Sequence, residues 1–145
     1  MNILDRIQNS AELLKFVKYC TVGVLNTLVC LGVIFIFKSI IGANPYVSNA
    51  LGYIAGVINS FLWNKKWVFR SKGGMVREGM VFLIGFLLCY AIQFLVVWSL
   101  SHKFGEFEMN LWVFTLSGYG IATIIGNVVY TLVNFIFNRI ITFRQ

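Results

Sequence analysis

Four long apolar segments, separated by short gaps, limit what this chain can fold into more than any other feature. Three of them, 19–37, 46–64 and 80–101, carry no charged residue, and the fourth, 109–138, is longer than one membrane crossing requires. A helix needs about 20 apolar residues to cross a hydrocarbon layer roughly 30 Å thick. Because 59% of the 145 residues are hydrophobic and only 12% are charged, a soluble core of this size could not bury them. The sequence therefore predicts an all-α membrane protein with four transmembrane helices.

The predicted helices cover about residues 16–41, 45–64, 78–101 and 110–138 of a single transmembrane domain, 1–145. Asn44 fits the N-cap of the second helix, and Pro45 fits its first position, where a missing N–H costs nothing. Ser10, with Glu12 in the following turn, predicts the cap of a short interfacial segment that leads into the first helix. A cleaved signal peptide is not expected, because the first apolar segment starts late and three further crossings follow it.

Lysine and arginine fall almost entirely on one side of the predicted membrane. Ten of the twelve precede the first helix, join the second to the third, or follow the fourth: Arg6, Lys15, Lys18, Lys65, Lys66, Arg70, Lys72, Arg77, Arg139 and Arg144. Only Lys38 and Lys103 fall on the other side. The positive-inside rule then places both termini and the middle loop in the cytoplasm. The net charge of +7 is explained by this placement, so we expect no nucleic-acid partner.

An internal repeat divides the chain into two halves. A shift of 74 residues aligns 61–65 (FLWNK) with 135–139 (FIFNR), Phe69-Arg70 with Phe143-Arg144, and Gly52 with Gly126. A weaker match, at a shift of 62, aligns Lys15 with Arg77 and Gly23 with Gly85. Because two crossings return the chain to its starting side, the repeats should be parallel and related by an axis along the membrane normal. We predict two tandem two-helix repeats with parallel pseudo-twofold symmetry.

Polar side chains inside the predicted helices have two possible roles. The first helix contains Asn26 and Thr27, and the second contains Asn59 and Ser60. One side of the fourth helix has a polar stripe about 16 Å long, formed by Asn127, Tyr130, Thr131, Asn134 and Asn138. In one interpretation they form hydrogen bonds between helices, each contributing on the order of 0.6 kcal/mol. In the other they line a cleft for a sugar, whose hydroxyl groups need partners that both donate and accept.

A repeated pattern of asparagine and cations follows the second and fourth helices. Asn64 precedes Lys65 and Arg70, and Asn138 precedes Arg139 and Arg144 at the same spacing. Positive-inside anchoring would explain one such cluster, but its repetition indicates a site for a phosphate-sized anion. The sequence has no His/Cys metal set, no phosphate-binding glycine loop and no catalytic triad. We therefore expect no metal, no cofactor, no catalytic residue and no enzymatic activity.

The motifs GVLNT at 23–27 and FLWNKKWVF at 61–69 resemble the GtrA-like family over nearly the whole chain. The motif positions are Gly23, Asn26, Thr27, Asn64, Lys65, Trp67 and Phe69. The second copy departs from the first, since Ile140 and Ile141 stand where Lys66 and Trp67 do, which favours an asymmetric site. The resemblance implies a four-helix membrane protein that handles a polyprenyl-phosphate (bactoprenol) sugar, made by a partner glycosyltransferase, for cell-surface polysaccharide.

The leading hypothesis from these features is a flippase-like carrier of the lipid-linked sugar in the bacterial cytoplasmic membrane. Lys65, Arg70, Asn64, Arg139, Arg144 and Asn138 would bind the lipid phosphate. The alternative is a scaffold that binds the lipid and anchors the glycosyltransferase without translocation. Four short helices make a thin wall around a bulky substrate, which favours a homodimer surrounded by membrane lipids.

Overall fold

The computed structural model describes residues 3–104, 107–111 and 114–144. Four α-helices run in the order α1 (Ile3–Phe35), α2 (Pro45–Trp63), α3 (Met75–Phe104) and α4 (Gly118–Phe137). Three of them continue into five-residue π-helices: π1 (Ile36–Ile40) after α1, π2 (Asn64–Val68) after α2, and π3 (Asn138–Thr142) after α4. Two short strands, β1 (Glu108–Leu111) and β2 (Phe114–Ser117), lie between α3 and α4.

The helices form two pairs. The chain separates into a first compact unit that ends at Gly73 and a second that begins at Gly74. In the first unit α1 packs along α2, and in the second α3 packs along α4. The prediction of four helices in two tandem pairs is therefore confirmed.

Among the described residues, three helical segments are long and apolar enough to cross a membrane: Ser10–Ile40, Met75–Phe104 and Gly118–Thr142. The 19 residues of α2 give it a length of about 28 Å, close to the hydrocarbon thickness. Its hydropathy is lower because polar residues such as Asn49 and Asn59 interrupt it. The chain is a multi-pass membrane protein.

The predicted helix cap at Ser10 was wrong. Ser10 lies inside α1, which is continuous from Ile3 instead of beginning near residue 16 after a separate segment. This stretch has no glycine or proline to break a helix, so continuing the backbone hydrogen bonds costs less than a cap. The ammonium of Lys15 donates to the Glu12 carboxylate at 3.2 Å, a pairing three residues apart that supports the helix.

The predicted start of the fourth helix, at residue 110, was also wrong. Strands β1 and β2 form a short antiparallel hairpin in which Glu108 is opposite Ser117, within a fold that is otherwise helical. The helix begins at Gly118, where the Ser117 hydroxyl caps it by accepting from the backbone N–H of Gly120 at 3.1 Å. A short apolar run in a strand cannot be distinguished from buried helix by periodicity. That ambiguity explains the error.

Glycine allows close helix contact at equivalent places in both units. A Cβ atom added at Gly52 would lie 2.5 Å from Cγ1 of Ile34, and one added at Gly126 would lie 2.5 Å from Cγ2 of Val97. Gly52 and Gly126 are 74 residues apart, as predicted, whereas Ile34 and Val97 are 63 apart. In these contacts, residues of α1 correspond to residues of α3 that lie 63 positions later. This shift replaces the shift of 62 that the weaker sequence match indicated.

Candidate lipid-headgroup site

The repeated pattern folds into two modules that share a π-helix, which we call the first module (residues 64–70) and the second module (residues 138–144). Each begins with asparagine at the end of an α-helix and continues as a π-helix, in which hydrogen bonds join residues five apart. The backbone N–H of Phe69 donates to the Asn64 carbonyl at 2.9 Å, and that of Phe143 donates to the Asn138 carbonyl at 2.9 Å. The sequence repeat is thus a repeat of local backbone structure.

A buried phenylalanine fixes each module to the first helix of its unit, α1 or α3. The Phe69 ring contacts the Tyr19 ring edge-on, with centroids 6.5 Å apart, and the Phe143 ring contacts the Phe82 ring at 6.2 Å. All four rings are buried. These pairs follow the same two shifts, 63 and 74 residues, as the glycine contacts. Packing against α1 or α3 therefore holds both π-helices in place.

The two asparagines are almost fully buried, with 1% of Asn64 and 0% of Asn138 exposed. The Asn64 amide donates to the Ser60 carbonyl at 2.8 Å and to the Ser60 hydroxyl at 3.2 Å. The Asn138 amide donates to Oδ1 of Asn134 at 3.0 Å. Neither Oδ1 atom, of Asn64 or of Asn138, has a hydrogen-bond partner in the described part of the chain. The group that each asparagine leaves available is therefore an acceptor.

The cations of the first module differ in exposure. Lys65 is only 8% exposed, and its ammonium donates to the Gly73 carbonyl at 2.6 Å. The backbone N–H of Ser71 also donates to the Lys65 carbonyl, at 2.9 Å. Arg70 is exposed and has a φ of 51°, a left-handed conformation that is uncommon for residues other than glycine. Lys65 thus holds the following turn, while Arg70 extends from it.

The second module has two exposed arginines, Arg139 and Arg144. Arg139 occupies the position of Lys65 but is not buried as Lys65 is. Arg70, Arg139 and Arg144 are consequently the predicted phosphate ligands whose side chains reach the surface.

Two further motif residues, Trp67 and Thr27, bond within the first unit. The Lys18 ammonium lies 5.4 Å from the centroid of the Trp67 ring, within range of a cation–π interaction. The Thr27 hydroxyl donates to the Gly23 carbonyl, one turn earlier in α1, at 3.2 Å. This last bond satisfies an exposed hydroxyl locally.

The predicted polar-cleft residues form hydrogen bonds within each unit. In the first unit the Asn59 amide donates to Oδ1 of Asn26 at 2.7 Å and so joins α2 to α1. The shifts of 63 and 74 residues place Cys89 and Val133 at the equivalent positions of the second unit, where this amide pair cannot form. Asn26 and Asn59 therefore have the interhelical role that the sequence left open.

In the second unit, polar side chains follow the length of α4. Asn138 donates to Asn134, and the Asn134 amide donates to the Tyr130 hydroxyl at 3.1 Å. Further along, the Gln93 amide of α3 donates to Oδ1 of Asn127 at 2.6 Å. The prediction did not include Gln93, although an amide in an otherwise apolar helix is a recognisable signal.

The sequence analysis also did not single out two buried polar residues, Glu78 and Thr142. Each is only 2% exposed. Glu78 lies in the first turn of α3, beside charged residues that the sequence assigns to a loop. Buried positions 78, 82, 85 and 89 form one inward stripe of α3, so extending the stripe back from Phe82 by one turn would have identified Glu78.

Comparison with known proteins agrees with this organisation. The family model for the GtrA/DPMS transmembrane domain matches residues 18–143. The "Uncharacterized membrane protein YngA" of Bacillus subtilis (strain 168) is 35% identical over 115 residues, which cover 67% of this chain and 77% of the relative. Both modules fall within the residues that the family model matches, apart from Arg144.

Proposed function

The chain belongs to the GtrA/DPMS transmembrane domain family, and from that premise we propose that it carries a polyprenyl-phosphate-linked sugar across the bacterial cytoplasmic membrane. Membership of this family implies a link to polysaccharide glycosylation and a non-catalytic transport role. A partner glycosyltransferase makes the lipid-linked sugar in the cytoplasm, where both termini of the carrier lie. A second transferase uses the sugar on the outer face.

The observation that carries this proposal is the repeated module. A phosphate cannot enter hydrocarbon without a large desolvation cost, so a carrier must offer it cations where it enters. Arg70, Arg139 and Arg144 are exposed at the ends of the second and fourth helices. Guanidinium groups bind phosphate oxygens through charge-assisted, often bidentate, hydrogen bonds. We therefore assign a lipid phosphate to each module separately, to Arg70 in the first and to Arg139 and Arg144 in the second.

The other predicted phosphate ligands have supporting roles. The buried Lys65 ammonium is within 2.6 Å of the Gly73 carbonyl, so it orders the turn that presents Arg70. The Asn64 and Asn138 amides donate within their own helices, and their available oxygens repel the oxygens of a phosphate. Both groups position the arginines and do not replace them as ligands.

The polar side chains of α4 support passage of the sugar. The hydrogen-bonded series from Asn138 through Asn134 to Tyr130 extends eight residues along the helix, or about 12 Å, inward from the second module. Amides and phenols can exchange hydrogen bonds with sugar hydroxyls, while the prenyl tail stays in lipid. No energy source is needed if consumption of the sugar outside determines net flux.

Reconstitution separates a carrier from a lipid-binding scaffold. Vesicles that contain the purified protein and a fluorescent prenyl-phosphate glucose would be treated with an impermeant reagent that destroys the fluorophore. A carrier makes the whole lipid pool accessible with time, whereas protein-free vesicles leave about half protected. Binding without added accessibility would indicate the scaffold, and absence of binding would refute both functions.

A further inference from the structure

The second module contains two buried oxygens that need a hydrogen-bond partner. Asn138 and Thr142 are the first and last residues of π3, with exposures of 0% and 2%. Oδ1 of Asn138 and Oγ1 of Thr142 have no partner in the described part of the chain. Buried polar atoms in folded proteins are nearly always paired with protein, water or ligand. These two atoms therefore indicate a small polar site within π3.

The first module provides an internal comparison. Val68 occupies the position of Thr142, and both side chains are buried. Oδ1 of Asn64 also lacks a partner in the described residues, but valine offers it no polar neighbour. Only the second module combines the asparagine oxygen with a hydroxyl four residues later. The modules are thus asymmetric in what they can bind.

The chemistry of the two oxygens selects the ligand. Asn138 Oδ1 can only accept a hydrogen, and the Thr142 hydroxyl can donate or accept. A phosphodiester has no hydrogen to donate at neutral pH, so it does not fit this pair. An alcohol fits, because it can donate to Asn138 and accept from Thr142. In a helix whose hydrogen bonds join residues five apart, residues four apart lie on nearly the same side.

We propose that Asn138 and Thr142 bind a sugar hydroxyl of the lipid-linked substrate, adjacent in the chain to the arginines that bind its phosphate. This assignment rests on the proposed function and adds a sugar contact to it. Because both side chains are buried, the hydroxyl reaches them only when π3 opens locally.

A substitution that removes only the hydroxyl tests this assignment. Thr142→Val has nearly the same shape and gives the second module the residue of the first. The lost atom has no protein partner, so a purely structural role predicts unchanged or higher thermal stability and unchanged binding. The proposal predicts weaker binding at undiminished stability. One neutral hydrogen bond corresponds to about a twofold to twelvefold loss.

Two probes distinguish the sugar from water as the source of the hydroxyl. Binding of prenyl-phosphate glucose and of prenyl phosphate without sugar would be measured in nanodiscs for the wild type, Thr142→Val and Thr142→Ser. We expect Thr142→Val to weaken only the glucose lipid, and Thr142→Ser, which keeps the hydroxyl, to retain wild-type binding. Val68→Thr, which adds a hydroxyl at the equivalent position of the first module and leaves the second module unchanged, is the matched control and should keep wild-type binding of both lipids.

Equal affinities of Thr142→Val and the wild type for the glucose lipid would assign the pair to water and overturn the inference, while the proposed function would stand. Equal loss for both lipids would also overturn it, because the hydroxyl would then act through the fold and not through the sugar. If the wild type bound neither lipid, the proposed function and this inference would fail together.

Discussion

The contacts of the glycines predict a graded response to alanine substitution. At Gly52 an added Cβ would lie 2.5 Å from a side-chain carbon of Ile34 and 2.9 Å from the Cys30 carbonyl oxygen. The side chain can rotate, but the backbone oxygen moves only with α1. At Gly56 the nearest atoms would be 3.6 Å away, an ordinary contact, and at Gly23 nothing lies within 4 Å. Gly52→Ala must therefore separate α1 from α2, whereas the other two substitutions need no rearrangement.

The expected magnitude follows from two opposing effects. Forcing an extra methyl group into a packed contact costs about 1–3 kcal/mol, and a backbone contact places Gly52→Ala in the upper part of that range. Alanine offsets about 1 kcal/mol through its higher helix propensity. We expect Gly52→Ala to lower the free energy of unfolding by about 1–2 kcal/mol. Gly56→Ala and Gly23→Ala should leave it unchanged or raise it by up to about 1 kcal/mol.

Reversible unfolding in mixed detergent micelles, followed by tryptophan fluorescence, would measure the series. Gly23→Ala and Gly56→Ala are the matched controls, since they add the same methyl group to α1 and to α2. If Gly52→Ala were as stable as Gly56→Ala, the close approach of α1 and α2 at this level would be wrong.

Two further predictions concern the first module and the orientation of the chain. A single cysteine placed at Ser71, in a protein without native cysteines, should resist an impermeant thiol reagent in intact cells. The reason is that the ten-to-two division of lysine and arginine places this loop in the cytoplasm. Rapid labelling would show that the predicted orientation is reversed. Lys65→Met should lower the free energy of unfolding by about 1–3 kcal/mol, since it removes the charged hydrogen bond to the Gly73 carbonyl. It should also increase proteolysis between residues 69 and 74. The control Lys66→Met, at an exposed neighbour, should change neither the free energy of unfolding nor the proteolysis.

The architecture was largely predictable because apolar length and internal repetition are properties of the sequence itself. The segments 45–64 and 78–101 correspond to α2 and α3 within three residues at each end. The 74-residue shift aligned Gly52 with Gly126 and Phe69 with Phe143, and these pairs make equivalent contacts in the two units. The 62-residue shift was off by one, since it depended on two matches only.

The candidate site was less predictable, because it depends on which side chains are buried and which reach the surface. A lysine and an arginine at equivalent positions look alike in sequence, yet Lys65 is buried on a carbonyl and Arg139 is exposed. The amide of Asn64 looks free until Ser60 is found one turn earlier on the same face. Glu78 was missed because it stands among charged residues, although it continues the buried stripe of α3 at positions 82, 85 and 89.

The most direct measurement of the central claim is the rate at which prenyl-phosphate glucose becomes accessible in vesicles that contain Arg70→Ala, Arg139→Ala or Lys72→Ala protein. Each charge-assisted hydrogen bond to phosphate contributes about 1.5–3 kcal/mol. Losing either arginine should therefore slow translocation at limiting lipid by about 10- to 100-fold. Lys72 is exposed in the same loop but lies outside the first module, so Lys72→Ala should keep the wild-type rate at matched protein content. Equal rates for all three variants and the wild type would contradict the account.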